Sequence, residues 1–242
     1  MSIFSSTVHL CRSNAPLSVV FTYLGSALAR KKLRRKHAAV AAELREFAKQ
    51  NSFNRDWFST SAPFWMDIFD RQGFRDRPIR ALEIGSFEGL SSCFLLRQLP
   101  NARLTCVDTW AGSDEHAGLE LIAATEAAFD RHVAPWIDRV TKYKGMSFNY
   151  LVGLSSQDKF DFIYVDGSHH ADDVMVDALR AFEHLNVGGV MVFDDYLWKY
   201  YQRNAENPAM AINGFLRLAA GRCRLISVYY QLAIVKTAER GA

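Results

Sequence analysis

Ala81-Leu-Glu-Ile-Gly-Ser-Phe-Glu-Gly-Leu-Ser91 is the stretch that decides the fold. Ala81 to Ile84 reads as the end of a buried strand, Gly85 and Gly89 bracket a loop, and a helical pattern begins near Leu90. Glycine in such a loop lets a ligand approach the backbone closely. The helix N-terminus that follows offers unpaired N–H groups to an anion such as a carboxylate, which suits a nucleoside amino acid. The spacing is GxxxG and not GxGxxG, so a dinucleotide pyrophosphate is the poorer fit.

Around this stretch, from Ile79 onward, short β-rich runs alternate with helical ones. Strands are expected at Arg80 to Ile84, Leu104 to Val107, Val140 to Lys144, Phe160 to Val165 and Val190 to Phe193. Between them, helices are expected at Ser91 to Leu99, Leu119 to His132, near Phe148 to Leu154 and at Ala171 to Leu185, with Asn186-Val-Gly-Gly189 as a turn. This rhythm implies βαβ crossovers and a parallel sheet covered on both faces. A helix near Ala209 to Ala220 precedes two closely spaced runs, Arg224 to Tyr229 and Leu232 to Lys236, which can pair only as an antiparallel hairpin. The expected architecture is α/β: a Rossmann-like, mostly parallel seven-stranded sheet with an antiparallel C-terminal hairpin.

Residues 1–75 read as a helical extension and 76–242 as the α/β domain. Ala38 to Lys49 spaces Val40, Leu44 and Phe47 as an amphipathic helix, and Asn51 to Asp76 reads as loop around a short helix at Phe64 to Phe69. Pro16 to Ala29 is apolar for about fourteen residues, too short for the roughly twenty that span a bilayer. Ala27-Leu-Ala29 looks like a small-residue cleavage site, but only Arg12 precedes the apolar run and a strongly basic one follows, so secretion is not expected.

The 242 residues, 49% hydrophobic and 23% charged, suit one α/β domain with an appendage and a real core. Six cations sit in Arg30-Lys31-Lys32-Leu33-Arg34-Arg35-Lys36, so the net charge of +3 leaves −3 on the rest of the chain. That body offers no global field for nucleic acid. The basic run reads as a solvated helix face, or as peripheral contact with an anionic membrane, and the amphipathic N-terminal helices as a homodimer surface. Cys11, Cys93, Cys106 and Cys223 form no CxxC pair and read as buried thiols of a reducing, cytoplasmic setting.

Three further strand ends carry chemistry. Asp108 closes the strand after the glycine loop, where its carboxylate either binds ribose hydroxyls or caps the next segment. Phe160 to Val165 delivers Asp166, and Val190 to Phe193 delivers Asp194 and Asp195. Neighbouring parallel strands lie about 4.8 Å apart, so these carboxylates either share a small hard cation or act as caps. Strand alternation makes Asp195 the weaker ligand unless the chain bends there. His169, beside Asp166, is a candidate base for a substrate hydroxyl and His170 reads as pointing away, with a lone surface histidine the bland alternative for either.

From Ala81 to Lys236 these residues resemble the class I S-adenosylmethionine-dependent methyltransferases. They are most similar to the metal-dependent O-methyltransferase group typified by macrocin O-methyltransferase and cephalosporin hydroxylase-like proteins. The resemblance implies that Glu83, Gly85 and Gly89 form the S-adenosylmethionine loop and that Ser91 meets the methionine carboxylate. It implies that Asp108 binds the ribose, that Met146 and Ser147 meet the adenine, and that Asp166, Asp194 and Asp195 hold magnesium. Catechol-type relatives carry lysine where this chain has His169, as the sugar-modifying branch does. The implied activity is magnesium-assisted O-methylation of a sugar, glycan or other vicinal-hydroxyl small molecule, with His169 as base. The alternatives are a metal-independent methyltransferase of the same fold and a non-catalytic scaffold. The segment Asp108 to His116 also resembles a loop of this group.

Overall fold

The computed structural model describes residues 3–112 and 122–241. Its strands are β1 (Ile79–Ile84), β2 (Ala102–Asp108), β3 (Val140–Lys144), β4 (Phe160–Val165), β5 (Leu185–Phe193), β6 (Cys223–Val228) and β7 (Leu232–Lys236). They form one seven-stranded sheet in the order β3-β2-β1-β4-β5-β7-β6. The described helices are α1 (Ile3–Arg12), α2 (Leu17–Lys36), α3 (Ala38–Gln50), α4 (Ala62–Gln72), α5 (Leu90–Gln98), α6 (Ile122–Val133), α7 (Ser147–Val152), α8 (Ala171–Glu183) and α9 (Pro208–Leu218). The expected α/β class and C-terminal hairpin are therefore present. The chain divides into two compact units, Arg30–Met146 and Met1–Ala29 with Ser147–Ala242, and the division falls within α2. No described helix is long and apolar enough to cross a membrane.

In the unit Arg30–Met146, β1 and β2 run parallel with Ile79 beside Ala102 and Ile84 beside Val107, and β2 continues parallel to β3. Pairing extends one residue past β1, where Gly85 N–H donates to Val107 O at 2.8 Å, so the glycine loop starts flush with the end of β2. The core of this unit is aromatic. Phe58 meets Trp65 edge-on at 4.7 Å between ring centroids and Phe94 at 5.3 Å, and all three are buried. This contact explains why the 51–76 stretch is more ordered than a loop reading implies: α4 is a full helix that buries Phe64, Trp65, Ile68 and Phe69. It opens with proline in its first turn and closes on Gly73 at φ 62°, the left-handed conformation that glycine adopts without steric cost. Arg139 satisfies carbonyls left open at the end of α5, donating to Leu96 O and Leu99 O at 3.0 Å each.

In the other unit β4 and β5 are parallel, and β7 pairs antiparallel with both β5 and β6. The stretch expected as a turn, Asn186 to Gly189, lies inside β5. Phe160 pairs with Leu185 and Phe162 with Val190, so the four residues bulge from the ladder. Gly188 takes φ 85°, and a Cβ on Gly189 would stand 2.9 Å from Asn186 O and 3.0 Å from Asp161 O, so the bulge closes only on glycine. The N-terminal helices dock here. Asn213 Nδ2 of α9 donates to Ser13 O at 2.9 Å, and Val228 N–H donates to Ser26 Oγ at 3.1 Å. Lys236, buried at the end of β7, donates to Phe182 O and Leu185 O. All four cysteines are free; Cys93 and Cys106 are buried as expected, whereas Cys11 is exposed because it sits on the outer side of α1.

Candidate functional site

The glycine loop takes its shape from two carboxylates facing opposite ways. Gly85 and Gly89 both have φ 84°, and Gly89 caps α5. A Cβ there would meet the Phe129 ring at 3.0 Å. From below, Glu83 is 2% exposed, and its carboxylate accepts the hydroxyls of Ser86 at 3.0 Å, Ser91 at 2.5 Å and also Ser92. Burial raises its pKa, and the three hydroxyls work against that rise. Glu83 and Ser91 are thus engaged with each other inside the fold, where they hold the loop against the start of α5.

Asp108 acts from the other side. Its Oδ2 accepts the N–H of Ser86 at 2.7 Å and of Phe87 at 2.8 Å, and its Oδ1 accepts Trp110 N–H at 2.6 Å. A carboxylate has about four lone-pair positions, so this pattern leaves one for an outside hydroxyl. Both expected roles of Asp108, turn cap and end-of-strand acceptor, thus fit one geometry. The Trp110 indole locks the same loop, donating to Phe87 O at 2.9 Å. Gly145 N–H donates to Asp108 O at 2.9 Å, which sets the neighbouring, exposed Met146 beside the end of β2. Ser147 opens α7 in the other unit and hydrogen-bonds Asp177 of α8. Residues 113–121 lie outside the described residues. The expected Asp108 to His116 loop is described only to residue 112, and the helix expected from Leu119 only from Ile122.

The second cluster lies in the unit that holds β4 and β5. Asp166 follows β4, and Asp194 and Asp195 follow β5. Asp195 has φ 54°, in the left-handed region, and its N–H donates to Asp194 Oδ1 at 2.7 Å. This is the bend that lets two successive aspartates serve one cluster despite strand alternation. Asp166, His169 and Asp195 each offer a ligand atom, all within 4.8 Å of one another. His169 Nε2 lies 2.8 Å from Asp195 Oδ2 and 3.8 Å from Asp166 Oδ1. The converging trio therefore includes His169, and Asp194 stands behind it. Asp194 Oδ2 meets the hydroxyl of Tyr164 and accepts Gln231 Nε2 at 2.8 Å.

Tyr164 also donates to Asp166 Oδ2 at 2.8 Å. A hydroxyl has one proton to give, so without a cation one of the two carboxyls beside Tyr164 has to bring its own. The electrostatics agree. Burial, and then the charge of Asp194, push the Asp166 carboxyl well above the usual range; burial, and then Asp195, push Asp194 up to about 6. Crowded carboxylates of this kind relax when they share a divalent cation or a proton.

Sequence reasoning missed the groups that support this cluster. Tyr164 lies two residues before Asp166, and strand alternation alone puts both on one side of β4. Gln231 and Tyr230 arrive from the β6–β7 turn and carry no local signal; Tyr230 hydrogen-bonds Asp195. Trp198 lies 4.8 Å from the His169 ring and stacks on Tyr200 at 5.3 Å, while Tyr201 stacks on His170 at 4.3 Å. These rings lie in the stretch Tyr196 to Pro208, which has no periodicity that would announce a site.

Residues 82–196 match the family model described as a methyltransferase domain. No curated protein matches the chain at a significant level of sequence likeness. Among solved structures, the chain resembles the MycE methyltransferase of the mycinamycin biosynthetic pathway, in complex with Mg, SAH and mycinamycin VI. Identity is 18%, with 82% of this chain and 56% of that chain covered and a TM-score of 0.57. It therefore spans little more than half of the MycE chain. It also resembles the O-methyltransferase TomG from Streptomyces achromogenes in complex with SAM, at 17% identity, 82% and 90% coverage and TM-score 0.56. An O-methyltransferase from Bacillus cereus in complex with SAH is similar at 20% identity, 90% and 100% coverage and TM-score 0.56. These likenesses establish the fold. The methyltransferase-domain match runs across the glycine loop and both aspartate-bearing strands.

Proposed function

We propose that the chain is a magnesium-assisted O-methyltransferase acting on a hydroxyl of a sugar, glycan or other vicinal-hydroxyl small molecule. The observation that carries this reading is the convergence of Asp166, His169 and Asp195 donor atoms within 4.8 Å, with Asp194 directly behind. Hard oxygen donors on crowded, partly buried carboxyls fit a small divalent cation, and the imidazole beside them is left to act as a base. Asp166 and Asp195 would hold it, with Asp194 behind them oriented by Tyr164 and Gln231. When bound, magnesium supplies Lewis-acid polarisation of a substrate hydroxyl.

The remaining work belongs to the chain's own residues. His169 takes the hydroxyl proton, and Asp195, 2.8 Å away, is placed to stabilise the imidazolium that results. Trp198 and Tyr200 form an aromatic wall beside His169, a surface suited to the apolar face of a sugar ring. MycE, in complex with Mg, SAH and mycinamycin VI, supports the reading of a magnesium-assisted enzyme with a small-molecule acceptor. The Gly85 to Gly89 loop and the start of α5 take the donor's methionine end, with Glu83 and Ser91 holding that loop in shape. Asp108 takes the ribose, and Met146 and Ser147 take the adenine. Residues 76–242 carry this machinery in a cytoplasmic setting, and 1–75 are a helical extension.

Calorimetric titration of S-adenosylmethionine, with magnesium and with a chelator, tests the reading together with methyl transfer to sugar acceptors. Donor binding in both conditions with chelator-sensitive transfer supports it. Chelator-insensitive transfer would leave the metal-independent alternative, and absence of donor binding the scaffold.

A further inference from the structure

Outside the site, the most unusual surface lies along α2. Leu17, Phe21, Leu24 and Leu28 are 75%, 70%, 39% and 83% exposed, although the helix is otherwise well packed at Val19, Tyr23 and Leu33. At 3.6 residues per turn these four fall within about 60° of arc, a continuous stripe of large apolar side chains turned to solvent. Further along the same helix, Lys31, Lys32 and Arg35 continue that stripe, and all seven residues lie within about 100° of arc. These three cations are exposed and, among the described residues, enter no ion pair. Their neighbours are occupied: Lys36 pairs with Asp70 at 3.1 Å, and Arg34 stands over the Phe64 ring. One face of one helix thus presents an apolar half followed by a cationic half.

We infer that this face of α2 is a docking surface for an anionic lipid bilayer. A bilayer supplies both complements side by side: acyl chains for Leu17, Phe21, Leu24 and Leu28, and anionic headgroups for Lys31, Lys32 and Arg35. A second α2 packed on this face supplies only the first. No Asp or Glu occurs before Glu43, so a second α2 laid on this face, in either direction, brings cations and no carboxylate to meet them. With its apolar stretch too short to span and its end strongly basic, the helix would lie in the interface plane. Such docking holds the enzyme where lipid-linked acceptors are concentrated. It does not depend on the acceptor assignment above, because its test reads partition and not methyl transfer.

The test is co-flotation of the full chain with vesicles of phosphatidylcholine alone and of phosphatidylcholine mixed with phosphatidylglycerol. Two variants are compared, Lys31→Gln/Lys32→Gln/Arg35→Gln and Phe21→Gln/Leu28→Gln. All five positions are exposed, so far-UV circular dichroism and donor binding should match the parent. The parent should float with the mixed vesicles and not with the neutral ones. The charge variant should lose about a hundredfold in partition and the apolar variant at least about tenfold. Equal binding to both vesicle types, or partition unchanged in either variant, would overturn the inference. So would absent flotation, including the case where sedimentation velocity shows Phe21→Gln/Leu28→Gln splitting a dimer, which would make a second copy the occupant.

Discussion

The Tyr164 hydroxyl donates to Asp166 Oδ2 at 2.8 Å while also meeting the Asp194 carboxyl, so one buried phenol ties together the ends of β4 and β5. Groups that orient ligands in this way usually change metal affinity about 10- to 100-fold when removed. Tyr164→Phe should therefore weaken magnesium binding by about that factor, read by calorimetry on the donor-loaded protein. Affinity unchanged within error would mean that Tyr164 serves packing alone.

Asp166→Ala should abolish most methyl transfer and leave S-adenosylmethionine affinity within about twofold, because the glycine loop takes its shape from Glu83, Asp108 and Trp110. Parallel measurement of turnover and donor Kd separates the two effects. Collapse of donor binding as well would show that the aspartate is structural.

Asp108→Ala removes the acceptor for three backbone N–H groups, those of Ser86, Phe87 and Trp110. Hydrogen bonds to a charged group are worth about 1.5–3 kcal/mol each, so donor affinity should fall by more than about tenfold and the melting temperature should drop. Asp108→Asn keeps an acceptor oxygen and should fall between the two. An alanine variant with parental affinity would remove Asp108 from the cofactor site.

Gly89→Ala places a methyl at φ 84° and 3.0 Å from the Phe129 ring. Left-handed backbone costs an L-residue roughly 1–2 kcal/mol before the clash is counted. Denaturant titration should show at least that loss, and a neutral result would mean that α5 can start elsewhere.

His9 gives the fold an acid sensitivity of its own. Burial, and then the nearby charge of Lys199, lower its pKa from 6.5 to about 4. The folded state prefers the neutral ring, so the stability this contributes is complete above pH 6.5 and is lost as pH falls through the window to 4. Allowing for solvent screening, the loss is about 2 kcal/mol. In His9→Gln the unfolding free energy should change less between pH 7 and pH 5 than in the parent. An identical slope in both would assign the acid sensitivity to other groups.

The sequence by itself determined whatever depends on neighbours along the chain. Val140–Lys144, Phe160–Val165 and Leu232–Lys236 are strands with the expected bounds, because alternation and apolar runs between turn residues are local signals. The glycine loop, Asp108 and the three aspartates at strand ends were legible for the same reason. Tertiary structure alone decided what those carboxylates face. Glu83 turns inward to three serines, Asp195 bends to φ 54° to join His169, and Asp194 is held by Gln231 from a distant hairpin. The docking of Ser13 on Asn213 joins positions far apart in the chain in the same way. Apart from the local contacts of Glu83, such pairings are set by packing and sheet register across the fold, and no short window of consecutive residues contains both partners.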